Sequence, residues 1–345
     1  MEKSIPHCGM PKAAAAVLRR PKNAQSTGAD VIGCAWHCPV SRDWKRLVIM
    51  RTINPALNAA ARPSFTGCAA ALKPRSLADG KSHFVSFGAN KIHYVTVGGG
   101  KNTIVFVHCW AGNLGFWREQ VPALADKARL VLIDLPGHGQ SDKLHAPYSM
   151  DYFASAVLAV MRDARVDKAT LVGHSMGGPV IYRVYEQAPE KVAALVVVDG
   201  FLRRPRMAPG QAEKFIARFR TPDYREHTRQ FFGTMFPVPG TEALRDQVLS
   251  EMLATPQHVM LGAMEGMFSP DQPDWDLKEA NVPVLVINAK GPMWDADCKN
   301  HVRSLAPQTD CRVMDGVGHW LMLERPVEFN AMLTDMLRKF DLIAK

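Results

Sequence analysis

The chain has 345 residues, with 42 Lys and Arg against 33 Asp and Glu, a formal charge of +9. The excess is local: residues 1–80 hold 12 basic and 4 acidic side chains, and residues 81–345 hold 30 and 29, so the body of the chain has no basic surplus for nucleic acid. At 47% hydrophobic and 22% charged, that body can bury a large core, which excludes disordered and collagen-like classes for it.

In chain order, residues 1–80 come first. They are broken by Pro6, Pro11, Pro21, Pro39, Pro55, Pro63 and Pro74, show no sustained periodicity, and read as a disordered leader. The acid-free stretch Met50–Ser76 has the Arg, Ala and Ser content of a targeting peptide, with Met50 as a candidate start, but lacks a seven-residue apolar core. An untargeted tail and a cytoplasmic location are therefore preferred, with export or organelle targeting as the alternative. His7, Cys8, Cys34, His37 and Cys38 offer metal-capable atoms without a second regularly spaced ligand pair, so no metal site is expected. Seven cysteines, Cys68, Cys109, Cys298 and Cys311 among them, make no disulfide framework. No apolar run approaches the ~20 residues that span a bilayer. A chain beginning near Leu77 is expected to keep activity and stability.

Regular structure is predicted from His83, where HFVSFG, a two-residue turn at Ala89 and Asn90, and KIHYVTVG form a hairpin. Buried strands follow at Ile104–His108, Leu130–Asp134, Ala169–Gly173, Leu195–Asp199, Val282–Asn288 and Cys311–Met314. Helices are predicted at Gly115–Ala128, Met150–Ala164, Met176–Ala188 and Val327–Phe340. Short apolar runs joined by helices imply a mostly parallel sheet covered on both faces within a domain of residues 81–345. About residues 200–281 break the rhythm with Phe215, Phe219, Phe231, Phe232, Met235, Phe236, Met252, Met260, Met264, Met267 and Phe268 and no strand pattern. They read as a helical lid inserted after the sixth strand, at the sheet edge where ligands bind. Most of these Met and Phe side chains are expected to pack it onto the sheet, leaving a few to face the pocket.

Gly173-His174-Ser175-Met176-Gly177 is a G-x-S-x-G pentapeptide directly after a strand and directly before a helix. A sharp turn there pushes the serine hydroxyl into the cleft at a helix N-terminus, where developing negative charge is favoured. A serine requires a base, and His319, in the Gly-containing loop Asp315–Trp320 after the last predicted strand, is the candidate. His138 and His174 read as structural by comparison.

With Val105–Trp110 after the third strand, Asp134-Leu-Pro-Gly-His-Gly-Gln-Ser141 after the fourth, GHSMGG and GVGH, the chain resembles the α/β-hydrolase superfamily from about His83 to Phe340. The resemblance implies the α/β-hydrolase fold, a Ser175–His319–acid triad, and an oxyanion hole made by the amides of Trp110 and Met176. It also places His108, Cys109, His174 and Trp320 along the substrate cleft. Two features depart from the family pattern. Cys109 stands where the family usually has glycine, which costs of order 1 kcal/mol if that residue needs positive φ; it reads as a small buried hydrophobe. The acid after the seventh strand arrives late, so Asp295 ranks first, Asp199 at the end of the sixth strand second, and Asp297 third.

A serine nucleophile argues against the dehalogenases and epoxide hydrolases of the superfamily that use aspartate. The expected function is a carboxylesterase-like serine hydrolase working on an apolar, small-molecule ester through an acyl-enzyme, with no cofactor and no nucleic-acid partner. Lactonase, carbon–carbon bond hydrolase and perhydrolase activities on the same triad are the alternatives, and so is a non-catalytic, receptor-like member.

Overall fold

The computed structural model describes residues 75–345 except 206, 209, 270, 271, 292, 293, 295, 306–308 and 345. The proposed leader, with Met50, Cys8, Cys34, Cys38 and Cys68, lies outside the described residues apart from its last few positions.

Eight strands form one sheet: β1 (Lys81–Phe87), β2 (Asn90–Gly98), β3 (Thr103–Val107), β4 (Arg129–Ile133), β5 (Ala169–His174), β6 (Val192–Val198), β7 (Val284–Ala289) and β8 (Thr309–Met314), in the order β1-β2-β4-β3-β5-β6-β7-β8. The first two strands and the β2–β4 pair are antiparallel, and all other pairs are parallel. Strands such as β3 (TIVFV) are apolar along their whole length because both faces are covered, and every residue of β3 is buried. The hairpin turn falls one residue earlier than predicted: Phe87 pairs with Asn90, and Gly88 takes the positive φ of 58° that Ala89 or Asn90 would adopt at a cost.

Helices α1 (Val121–Leu124), α2 (Met150–Asp163), α3 (Gly177–Gln187), α8 (Ala296–Ser304), α9 (Leu321–Glu324) and α10 (Pro326–Lys339) flank the sheet. The predicted Gly115–Ala128 helix is a correction: it is a 3-10 turn at Leu114–Trp117, capped by the Asn113 side chain, followed by the short α1. Pro122 in the first turn of α1 has no amide to continue a helix running in from the 3-10 turn. By contrast α2 has its Ser149 cap on the Tyr152 amide and one apolar face, Phe153, Val157 and Val160, and it runs as predicted.

Between β6 and β7 lie four helices, α4 (Gln211–Ile216), α5 (Tyr224–Gly233), α6 (Glu242–Met252) and α7 (Gln257–Phe268). Their two ends are stitched together by an isolated bridge, Arg203 to Asp276, and by amide-to-carbonyl bonds from Arg204 to Trp275 and from Leu277 to Leu202. The insertion thus leaves and returns through one neck. Parallel register sets Val107 beside Gly173, His174 beside Val198, and Val198 beside Ile287. The residues that follow β3, β5 and β6, His108, Ser175 and Asp199, therefore come out in a row at one sheet edge, next to the last residues of β7.

Candidate active site

Ser175 occupies the turn between β5 and α3 with φ of 53°, a left-handed conformation that costs a non-glycine residue about 1 kcal/mol or more. Its backbone is pinned on both sides: the amide donates to the Val198 carbonyl, and the carbonyl accepts from the Gly178 amide. The flanking glycines are demanded by space. A Cβ at Gly173 would lie 2.3 Å from the Gly177 carbonyl oxygen, and one at Gly177 would lie 2.5 Å from that of Val107. Of the six described non-glycine residues with positive φ, three (Ala111, Ser175 and Asp199) follow the ends of β3, β5 and β6. Backbone strain is therefore concentrated at this edge, as at sites where geometry must be held against local preference.

His319 lies in the loop after β8, buried to 8% exposure, with its Nδ1 2.6 Å from Oδ2 of Asp199. The other carboxylate oxygen of Asp199 accepts the Ala289 amide at 3.0 Å, and the Asp199 amide donates to Ile287. A neutral His319 donating from Nδ1 presents the Nε2 lone pair as a base. His319 is thus paired with Asp199, the second-ranked acid; the first-ranked Asp295 lies outside the described residues. Asp297 is on α8, and its side chain is not described. Asp199 needs no loop: the β6 register already delivers it beside β7.

On the β3 side, Cys109 is 2% exposed and is absent from the positive-φ residues. The left-handed turn falls two residues later, at Ala111 (φ of 54°), so the Cys side chain is accommodated without the backbone cost considered above. Burial pushes the Cys109 thiol up to about 12, which keeps it protonated and unreactive. Trp110 is buried, with its indole N–H donating to the Met260 carbonyl at 2.7 Å and its ring stacked on Phe232. Among the described residues, neither the Trp110 amide nor the Met176 amide donates a backbone hydrogen bond, and Met176 is the N-cap of α3. The close approach of Gly177 to Val107 and His108 brings the two segments side by side. That is the arrangement needed for two amides to share one oxyanion.

The histidines assigned to the cleft do something else. His108 accepts the Leu135 amide at Nε2, so its Nδ1–H donates to the Cys109 carbonyl; it braces the oxyanion loop against the β4 loop. His174 donates from Nε2 to the carbonyl of His319 at 2.9 Å and lies tilted against that ring, centroids 4.6 Å apart at 43°. Both are fully buried, and desolvation lowers their pKa values, that of His174 well below the ordinary range. His138, its Nδ1 on the Pro136 carbonyl, is lowered to about 3, first by burial and then by the neighbouring His108. Trp320 is completely buried and stacks on Phe236 of the insertion at 4.6 Å and 6°.

Two supports were not legible in advance. The His319 amide donates to the Met235 carbonyl of the insertion, and the Thr255 hydroxyl donates to the Ala111 carbonyl. The insertion therefore touches both the base loop and the oxyanion loop. Asp134, at the head of the DLPGHGQS stretch, is buried and accepts from the His93 ring and from the amides of Gln140 and Leu114. Burial alone would raise its pKa, but these donors outweigh it and hold the carboxyl below the usual range. A groove of about 730 Å³ lies on the insertion, lined by Arg204, Met207, Ile216, Arg220, Glu265 and Phe268. Neither Ser175 nor His319 is among the residues lining it. Among the described residues no cluster of three or more His, Cys, Asp or Glu offers a metal site, and no helix is long and apolar enough to cross a membrane.

A family model described as the alpha/beta hydrolase fold matches residues 102–326. The chain is 29% identical over 265 residues, 72% of its own length and 91% of the relative's, to a 2-hydroxy-6-oxononadienedioate/2-hydroxy-6-oxononatrienedioate hydrolase of Paraburkholderia phymatum. It is 28% identical over 251 residues, 69% and 96% of the two chains, to a pimeloyl-acyl-carrier-protein methyl ester esterase of Nitrosomonas europaea. A solved N-acyl homoserine lactone degrading enzyme superposes with a TM-score of 0.62 at 28% identity, covering 73% of this chain and 99% of that one.

Proposed function

The chain belongs to the α/β-hydrolase fold family, and on that premise we propose that it is a serine hydrolase of carboxylic esters or related acyl compounds, with Ser175 as nucleophile, His319 as base and Asp199 as acid. The observation that carries this reading is the 2.6 Å contact of His319 with Asp199, one strand-end along from a strained, pinned Ser175.

His319 Nε2 takes the Ser175 hydroxyl proton as Oγ attacks the acyl carbon. The amides of Trp110 and Met176 hold the oxyanion, each such donor supplying about 3 kcal/mol to the transition state. Asp199 stabilises the imidazolium and keeps its ring in the Nδ1–H tautomer. The Nε2–H then protonates the leaving alkoxide, and water deprotonated by His319 releases the acid from the acyl-serine. An apolar substrate is favoured by the Trp110–Phe232 stack and by Phe219, which packs against the same indole. Lactone opening, carbon–carbon cleavage and perhydrolysis would use the same three side chains, and the relatives named above include an enzyme that degrades an N-acyl homoserine lactone and a 2-hydroxy-6-oxononadienedioate hydrolase. A receptor-like reading would rest on Cys109 and a displaced acid; the ordinary backbone at Cys109 and the Asp199–His319 pair support the catalytic reading instead.

Ser175→Ala is expected to abolish hydrolysis of p-nitrophenyl esters, a fall of about 10⁴-fold or more, together with labelling by a fluorophosphonate probe. Labelling that persists in this variant would reject Ser175 as the nucleophile.

A further inference from the structure

Glu324 ends the short helix α9, five residues after His319, and the triad does not use it. Its Oε2 accepts the Gly318 amide at 2.7 Å. Its Oε1 is sealed from solvent and has no hydrogen-bond partner among the described residues. Nothing can slip between it and the loop: a Cβ at Gly318 would stand 2.9 Å from Oε1 and 2.2 Å from the Met235 carbonyl oxygen. The adjacent guanidinium of Arg325 is engaged elsewhere, on the Asp315 carbonyl and on Glu328. From the insertion, the Met235 carbonyl and Pro237 close on this corner, and His319 and Asp199 are the charges that act on Glu324.

A half-buried carboxylate with no cationic partner is costly unless a positive charge appears beside it. In the reaction proposed above, that charge appears on His319 each time Ser175 gives up its proton. We propose that Glu324 is a positioning residue for His319: its carboxylate anchors the loop through Gly318 and adds a second negative charge, behind Asp199, that stabilises the imidazolium. Burial pushes the Glu324 carboxyl up, while the Gly318 and Trp320 amides and then His319 pull it back. Protonation of this carboxyl would remove both services.

The proposal rests on the Ser175–His319 reading, so its test has a readout independent of turnover. In the full chain labelled on its histidines, NMR follows the titration of His319 in the wild type, Glu324→Gln and Glu324→Asp. The Gln variant keeps an acceptor for Gly318 but no charge, and should lower the His319 pKa by about half a unit or more. It should also lower kcat for p-nitrophenyl acetate by about tenfold with KM little changed, and move the acid limb of kcat/KM to lower pH. The Asp variant keeps the charge on a shorter arm and should retain the wild-type titration while losing kcat. An unchanged His319 titration in the Gln variant overturns the proposal, as does a His319 pKa in the Asp variant as low as in the Gln variant. Absence of turnover and of probe labelling in the wild type would instead sink the serine-hydrolase reading.

Discussion

The sheet edge and the helical insertion reach the same site by different physics. At the edge, parallel register sets Ser175, Asp199 and the oxyanion loop in a row, and each is held by backbone bonds and close glycine contacts that leave no room for adjustment. The insertion reaches the site through aromatic stacking, as in Phe232 on Trp110 and Phe236 on Trp320, and through a few single hydrogen bonds such as Met235 to His319. One half is positioned by covalent geometry and ladder hydrogen bonds, the other by side-chain packing that tolerates substitution. Precision in the reacting atoms and variability in what is admitted are thereby assigned to separate parts of the chain.

The largest effect expected from this contrast lies at the acid. Asp199→Asn should cut kcat by about 10⁴-fold, since an amide holds the imidazole in the wrong tautomer, while Asp295→Asn should stay within about twofold of wild type. Equal losses in the two would return the acid to the loop after β7. Next comes a pair of glycines. Gly177→Ala drives a Cβ to 2.5 Å from the Val107 carbonyl and should cost about 3 kcal/mol in urea unfolding along with activity. Gly233→Ala, at the end of α5 with nothing within 4 Å, should gain up to about 1 kcal/mol from helix propensity.

Acid should act through the edge. His108, His138 and His174 have lowered pKa values in the fold, that of His138 to about 3, whereas the unfolded chain takes up their protons near pH 6.5. The stability they contribute is complete above that pH and is lost as pH falls through their lowered values, for His138 as far as about 3, with a slope of about 1.4 kcal/mol per pH unit for each histidine inside its window. Calorimetry at pH 7.5, 6 and 5 should therefore show a falling melting temperature before the carboxylates titrate; a flat profile to pH 5 would mean that these imidazoles are charged or solvated. The smallest effect is at the junction. Trp110→Phe keeps the backbone amide and most of the stack but removes the bond to Met260, and should cost about 1 kcal/mol in stability with kcat reduced far less than in Asp199→Asn.

Much of this was legible because it is local. The strand–Ser–helix turn, the glycines around it and the loop bearing His319 are contiguous in sequence, and their residue types are demanded by sterics within a few positions. The broken helix after Asn113 was missed although Pro122 marks it, because the apolar pattern of Gly115–Ala128 outweighed one breaker. Cys109 was charged with a strain that Ala111 bears, since φ along an irregular loop is not written in residue type alone. The surplus of basic side chains before residue 80 remains a statement about sequence, outside the described residues.

By itself, then, the sequence determined the parallel α/β architecture and singled out Ser175 and His319 as the proposed nucleophile and base, because nearest-neighbour sterics and hydrophobic periodicity are enough for each. Only the tertiary structure brought Asp199 to His319, gave His108 and His174 their bracing hydrogen bonds, and put the Glu324 carboxylate on the Gly318 amide. The pairing of Asp199 with His319 joins residues 120 positions apart, and it exists only because the register of β6 against β7 places a strand-end carboxylate next to the loop that follows β8. Contacts of that span are set by packing of the whole sheet, which no local pattern records.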